Sequence, residues 1–381
     1  MKLIYNLLSA LIVSNSAFSF DFSGTLQSDG ISRNFILHSS GAAVQSNLPV
    51  MIILHGDGGS GLGMKNGTNF DAIADANNFL AVYPSSTNQL GTGIWNKQID
   101  GNYAGEPNDV LFISDLIDHL CEMYEIDPNR VFVTGHSGGG FMAYHLAVAL
   151  PNSIAAFAPV AASMYDQAGG TFLSDYLAGG SFVKVPICHI HGDNDGVVSY
   201  PDGNFTPNAY QEWPLTGFSP VTCGATTYDN ADVSTIVAGV QRIPFCQDNA
   251  SSKEVVLIRL LGQGHGWPNV ANFNVEQFIW NFCNSYALNT GVSCSVSSIN
   301  ELNDLIQLNV FPNPTNHSLT IELFSESIEI QLVDMTGKIV SSQSGHIGAN
   351  EMNVAQLDAA MYLLKAIDPS GNVIVKRIIK E

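Results

Sequence analysis

Val131-Phe132-Val133-Thr134-Gly135-His136-Ser137-Gly138-Gly139 decides the fold. Three apolar residues run into a serine framed by glycines, and a helical stretch to Leu150 follows, closed by Pro151. The apolar run fits a strand buried on both faces of a parallel sheet. A serine on so tight a strand-to-helix turn lifts its hydroxyl above the sheet, and only glycine fits two residues to either side. Gly-x-Ser-x-Gly alone is a weak signal. Between a strand and a helix it marks Ser137 as a candidate nucleophile. The helix N-terminus there also favours a developing oxyanion.

The same alternation extends outward. Pro49 to Leu54 is a continuous apolar run ending in His55-Gly56, and Phe79 to Tyr83 is another, closed by Pro84. Val110, Ile113, Ile117, Leu120 and Tyr124 recur at spacings of three and four, which predicts a helix over 108–124. Asp127-Pro128 reads as a turn, and Ile154 to Val160, Val185 to Ile190 and Val255 to Leu260 read as strands. Gln277 to Phe282 reads as a closing helix, and Phe22 to Leu26 with Arg33 to Leu37 as an opening hairpin around Asp29-Gly30. The expected class is α/β, a doubly wound, mostly parallel sheet. Residues 200–250 are rich in Pro, Gly, Asn and Thr with weak periodicity, which suits a lid or a substrate-facing insertion.

The ends differ from this body. Met1-Lys2, an apolar stretch from Leu3 to Val13, and Ala17-Phe18-Ser19 form a signal-peptide pattern over 1–19, cut after Ser19. No later run reaches the ~20 apolar residues of a membrane span. The catalytic domain is expected over 20–285, a Ser- and Asn-rich linker over 286–305, and a small β-sandwich of short strands over 306–381. Charged residues are only 13%, against a disordered tail or coiled coil. The net charge of −20 would repel phosphate backbones, so nucleic acid is excluded as a partner.

Export permits disulfides. Cys223 with Cys246, and Cys283 with Cys294, flank short segments and are the expected pairs. Cys121 lies in a helical pattern and Cys188 in a strand; both read as inert buried thiols.

Ser137 needs a base and an acid. Chains with a nucleophile on such a turn place the acid next and the histidine last. His265, His317 and His346 follow the acid candidates, and the last two lie in the tail. His265 remains, in a glycine-flanked loop directly after a strand. The acid should end the strand before His191-Gly192-Asp193-Asn194-Asp195, where spacing leaves Asp193 and Asp195 in competition. For the oxyanion, the amides of Gly138 and Asp57 are the expected donors, the latter from His55-Gly56-Asp57-Gly58-Gly59. His55 and His191 read as loop-orienting. Trp95 and Trp267, in loop-like segments, are candidate substrate contacts, and Trp213 is a weaker one. No His/Cys/Glu cluster has metal spacing and no nucleotide-binding glycine pattern follows a strand, so neither metal nor cofactor is expected.

Residues 30–285 resemble the secreted poly(3-hydroxybutyrate) depolymerase and feruloyl/acetylxylan esterase group of α/β-hydrolases. The carriers are His55-Gly56-x-Gly58-Gly59, Val82-Tyr83-Pro84, Asp109-Val110-x-Phe112-Ile113, Ile126-Asp127-Pro128-x-Arg130-Val131, Gly135-x-Ser137-x-Gly139-Gly140, His191-Gly192-x-x-Asp195-x-x-Val198 and Gly264-His265-x-Trp267-Pro268. The resemblance implies a Ser137-His265-Asp195 triad, with Asp195 as the acid, and a disulfide-closed insertion at Cys223 to Cys246. Asp57 departs from the uncharged residue or cysteine common in the group. Residues 306–381 resemble a type A sorting domain of the type IX secretion system, on Phe311-Pro312-Asn313-Pro314, Asp334-x-x-Gly337-Lys338, Met361-Tyr362 and Lys376-Arg377-Ile378-Ile379-Lys380; Ala360 replaces a usual glycine. A carbohydrate-binding module is the rival for the tail, which lacks any Trp for a sugar platform.

The expected protein is an extracellular or cell-surface serine esterase that meets the type IX machinery during export. Its substrate is a polymeric ester, either a plant polysaccharide ester or an aliphatic polyester. A secreted serine peptidase and a non-catalytic binding protein on the same scaffold are the alternatives.

Overall fold

The computed structural model describes residues 19–40, 47–87, 93–97, 107–124, 126–165, 183–200, 211–212, 232–248, 253–289, 294, 308–324, 328–334, 338–367, 369 and 373–380. The signal-peptide pattern, Cys223 and Trp213 lie outside them.

The body is built from β1 (Phe20–Ser28), β2 (Ile31–Ser39), β3 (Leu48–Leu54), α1 (Gly61–Gly67), α2 (Phe70–Asn77), β4 (Leu80–Pro84), α3 (Asp109–Tyr124), β5 (Ile126–His136), α4 (Gly138–Ala149), β6 (Ala156–Val160), β7 (Met164–Tyr165), β8 (Ile187–Gly192), β9 (Gln211–Glu212), β10 (Ser234–Val237), β11 (Val240–Asp248), β12 (Lys253–Leu260) and α5 (Val275–Cys283). Ten strands form one sheet in the order β1-β2-β4-β3-β5-β6-β8-β12-β11-β10. The six strands from β4 to β12 run parallel. Antiparallel strands flank both sides.

Strand alternation explains why both faces are covered. Val50, Ile52 and Leu54 of β3 join a core with Phe112 and Leu116 of α3 and Leu146 of α4. Met51 and Ile53 point the other way, into a core with Ile73 of α2 and Ile279 and Trp280 of α5. Phe79 stacks on Trp280 there, with ring centroids 4.1 Å apart. This is the doubly wound architecture expected from the alternating pattern.

Two local expectations change, and two short helices go beyond what the sequence predicts. Residues 234–248, expected within a lid or insertion, include β10 and β11, which widen the main sheet instead; the remainder of that stretch is almost entirely outside the described residues. Asp127-Pro128 lies inside β5, where its register with β3 shifts, rather than in a free turn. The short helices α1 and α2 carry too few apolar residues for their periodicity to stand out.

The cysteine pairing is also corrected. Cys121 of α3 is bonded to Cys294, across 173 residues. Cys283 is not the partner of Cys294: it is a free thiol on the buried side of α5, packed in the same core as Ile279 and Trp280. Cys188 is free and buried, as expected. Cys246 lies on β11, and its pairing with Cys223 falls outside the described residues. A loop this long restricts the unfolded chain strongly, so Cys294→Ser is expected to lower unfolding stability by about 2–5 kcal/mol. Urea unfolding of the oxidised protein and the variant measures this; equal midpoints at equal slope would refute it.

The tail contains β13 (Leu308–Phe311), β14 (Ser318–Leu323), β15 (Ile328–Asp334), β16 (Ile339–Gly345), β17 (Gly348–Asn353), β18 (Ala360–Ile367) and β19 (Val373–Lys380). They form a three-stranded sheet β13-β14-β17 and a four-stranded sheet β16-β15-β18-β19. Leu319, Ile321 and Leu323 from the first share one core with Ile330, Leu332, Leu364 and Ile378 from the second, which makes a small sandwich.

Candidate active site

β5 ends at the serine turn. Ser137 has φ 51° and ψ −119°, a conformation that costs a non-glycine residue about 1–3 kcal/mol. Its amide is held by the Val160 carbonyl at 2.9 Å. The glycines follow from contact: a Cβ on Gly135 would strike the Gly139 backbone, and one on Gly139 would strike the carbonyls of Leu54 and His55. The turn is therefore wedged against the end of β3, and Ser137 remains half-buried above the sheet.

The loops after β8 and β12 meet this turn. His265 Nε2 lies 2.8 Å from Ser137 Oγ, and His265 Nδ1 lies 2.8 Å from Asp195 Oδ2. Asp195 is 6% exposed, and its Oδ1 accepts from the amides of Val197 at 2.8 Å and Val198 at 2.9 Å. Burial alone would raise its pKa. Donation from His191, His265 and the two amides outweighs burial and holds the carboxyl well below the usual carboxylate range. Asp193, the competing acid, turns away: it accepts from Arg259 at 2.9 and 3.1 Å and from the Gly262 amide at 2.6 Å. It pins the loop that carries His265.

A second histidine braces that loop. His136, beside the nucleophile, donates from Nε2 to the His265 carbonyl at 2.5 Å. Burial lowers its pKa, so it stays a neutral donor. No spacing rule would have given it this role.

The Asp57 and Gly138 backbones adjoin: a Cβ built on Gly138 falls 3.0 Å from the Asp57 nitrogen and overlaps the Asp57 carboxylate. Among the described residues neither amide has a protein acceptor. Two free donors thus lie beside Ser137, the geometry an oxyanion requires. The Asp57 carboxylate is paired with Lys97, a partner not expected from sequence. Its charge is thereby offset at the rim.

Trp95 is corrected. It is 2% exposed and cannot meet a substrate. Its indole donates to the His55 carbonyl at 2.8 Å and its ring lies over His55, 4.9 Å between centroids. It therefore supports the loop that carries Asp57. His55 does so too: Nδ1 donates to the Gly56 carbonyl at 2.8 Å and Nε2 accepts from the Ser86 amide at 3.0 Å. Buried Asp109 accepts from Arg33 and from the Asn96 amide at 2.6 Å, which fixes the segment bearing Trp95 and Lys97.

Trp267 is half-buried and borders an open cleft of about 760 Å³. Its indole donates to buried Glu276 at 2.9 Å, and the same Glu276 oxygen accepts from the Asn69 amide at 3.0 Å. Glu276 thus ties Trp267 to the starts of α2 and α5. Asn66, Asn69, Asn269, Asn272 and Phe273 line the cleft with it. Asp21, His38 and Asp71 lie close enough together to hold an ion, but Lys65 already bridges both carboxylates there. No helix among the described residues is long and apolar enough to cross a membrane.

A serine, an imidazole and a carboxylate in sequence above a doubly wound sheet define an α/β-hydrolase. Residues 41–217 match the phospholipase/carboxylesterase family, and residues 309–381 match the secretion system C-terminal sorting domain, which marks the chain for type IX secretion. A bifunctional acetylxylan esterase/xylanase of Neocallimastix patriciarum is 28% identical over 250 residues, 65% of this chain and 33% of that protein. A poly(3-hydroxyalkanoate) depolymerase C of Paucimonas lemoignei is 23% identical over 248 residues, 60% of this chain and 57% of that protein. The chain spans a third of the first relative and little more than half of the second. The solved acetyl xylan esterase from Aspergillus awamori aligns over 70% of this chain and 99% of its own, with TM-score 0.51 and 17% identity, a likeness of fold.

Proposed function

We propose that the protein is a secreted serine esterase acting on carboxylic esters carried by a polysaccharide. The observation that carries the reading is the unbroken run of 2.8 Å contacts from Ser137 Oγ through His265 to Asp195. In this reading His265 Nε2 takes the Ser137 proton as Oγ attacks the ester carbonyl. Asp195 holds the imidazole in the donating tautomer at Nδ1 and offsets its positive charge. The amides of Asp57 and Gly138 receive the oxyanion. His265 then protonates the leaving alcohol, and a water molecule repeats the sequence to free the acid. No cofactor enters.

The cleft favours a polysaccharide over an aliphatic polyester. Five asparagine amides, each both donor and acceptor, suit the hydroxyls of a sugar chain, and an aromatic edge suits its apolar ring faces. A polyester, which has acceptors only, would use the NH₂ groups but leave every amide oxygen without a donor. Turnover of acetylated xylan, methyl ferulate and polyhydroxybutyrate film tests the choice directly. Asn69→Ala combined with Asn269→Ala is expected to raise KM for acetylated xylan about 3–10-fold relative to a short nitrophenyl ester, the loss of one or two hydrogen bonds. Film hydrolysis as the preferred reaction, with the xylan KM unmoved in the variant, would reverse it.

A further inference from the structure

The contact chain does not stop at Asp195. His189 and His191 are two apart on β8, so they share one face, and Tyr144 of α4 reaches them there. Tyr144 Oη lies 2.6 Å from His189 Nδ1. His189 Nε2 lies 2.9 Å from His191 Nδ1. His191 Nε2 lies 2.8 Å from the Val198 carbonyl and 3.2 Å from Asp195 Oδ2. The two imidazoles stack at 18°, and both are fully buried, as is Tyr144. Polar groups so deep persist only when their bonds are made.

The protons in this chain have one consistent direction. A carbonyl and a carboxylate only accept, so His191 Nε2 carries a proton. Burial pushes the Tyr144 hydroxyl far up in pKa; it stays a phenol and donates to His189 Nδ1. Burial, reinforced by His191, holds His189 neutral. Its one proton therefore sits on Nε2 and is donated to His191 Nδ1. From the other side, Ser137 donates to His265, and His265 donates to the same Asp195 oxygen. Two strings of donors converge on one carboxylate.

We propose that Tyr144, His189 and His191 are positioning residues, a second arm that fixes the orientation of Asp195 and shares its negative charge with His265. The proposal rests on the esterase reading and concerns the same site. Among the described residues, the other ionisable groups around the arm are Cys188 of β8, His136 of β5, Asp193, and Tyr200 with Arg259 over its ring.

His191→Leu removes the N–H that reaches Asp195, His191→Gln keeps an N–H on a side chain of similar reach, and Tyr144→Phe removes only the distal hydroxyl. Each is assayed on a short nitrophenyl ester, with turnover expressed per site labelled by a fluorophosphonate, so that misfolded protein is not counted. His191→Leu is expected to lower kcat about 10–100-fold with KM unchanged, the scale of a misplaced catalytic group. The acid limb of its kcat/KM profile should move to higher pH. With the arm gone, Asp195 presents more negative charge to His265, which then keeps its proton to higher pH. His191→Gln should recover at least about a third of wild-type kcat with the limb restored, and Tyr144→Phe should shift the limb less, in the same direction. Per-site kcat of His191→Leu within twofold of wild type, or an unmoved limb with Gln no better than Leu, overturns the arm. Ser137→Ala run in parallel separates the two claims: if it still turns over, the esterase site is wrong; if it is inactive while His191→Leu behaves as wild type, only the arm is.

Discussion

Ser137→Ala is expected to lower kcat for a short nitrophenyl ester by roughly 10⁴–10⁶-fold, the loss seen when a nucleophile is removed from such a unit. The fold should persist. Ser137 Oγ contacts His265 and its backbone is held by Val160 whatever the side chain. Ser137→Gly goes further: at φ 51° glycine carries no strain, so that variant should be inactive yet more stable than wild type by about 1 kcal/mol. Ester assay and thermal unfolding on the same preparations check both halves. Turnover retained in either variant removes Ser137 from the reaction.

Asp195→Asn should be nearly as damaging, about 10⁴-fold in kcat. Four donors meet this carboxylate: the amides of Val197 and Val198, His191 Nε2 and His265 Nδ1. A side-chain amide has one acceptor oxygen and brings two protons of its own. It cannot serve all four, and its NH₂ would face at least one donor. The imidazole of His265 then loses the partner that fixes its tautomer. Stability changes with pH as well. The folded pKa of Asp195 lies below its unfolded value near 4, so the stabilisation is full above about pH 4 and is lost as pH falls toward the folded pKa. Between pH 7 and pH 3 the wild type should therefore lose more stability than Asp195→Asn, read as urea midpoints. Parallel losses would mean that the carboxylate is not held ionised by its surroundings.

The serine turn was legible because steric demands narrow it to glycine at two positions, and the Val50 to Leu54 run because two-sided burial demands apolar residues throughout. His265 was reached by chain order together with the separation of the tail, which removed His317 and His346. Asp193 and Asp195 could not be separated by spacing, since what distinguishes them is Arg259, 66 residues from Asp193 and pairing with it only in the fold. Trp95 misled for a similar reason. A tryptophan in a glycine-rich loop reads as exposed, but its indole is satisfied by a carbonyl 40 residues away. Tyr144 lay hidden in an apolar helix, and the period-two spacing of His189 and His191 on a buried strand, a signal of two polar groups on one face, went unread because His191 was assigned to a loop. Local flanking segments suggested cysteine partners; the bond between Cys121 and Cys294 joins elements distant in the chain, which flanking sequence does not encode.

That bond has a topological consequence. Residues 121 to 294 form a covalent ring, and Ser137, Asp195 and His265 are all inside it. One peptide cleavage anywhere on the ring opens it without releasing a fragment, so the three groups stay on a single covalently joined molecule until a reductant arrives. The sandwich over 308–380 hangs outside the ring, and its detachment takes none of the three away.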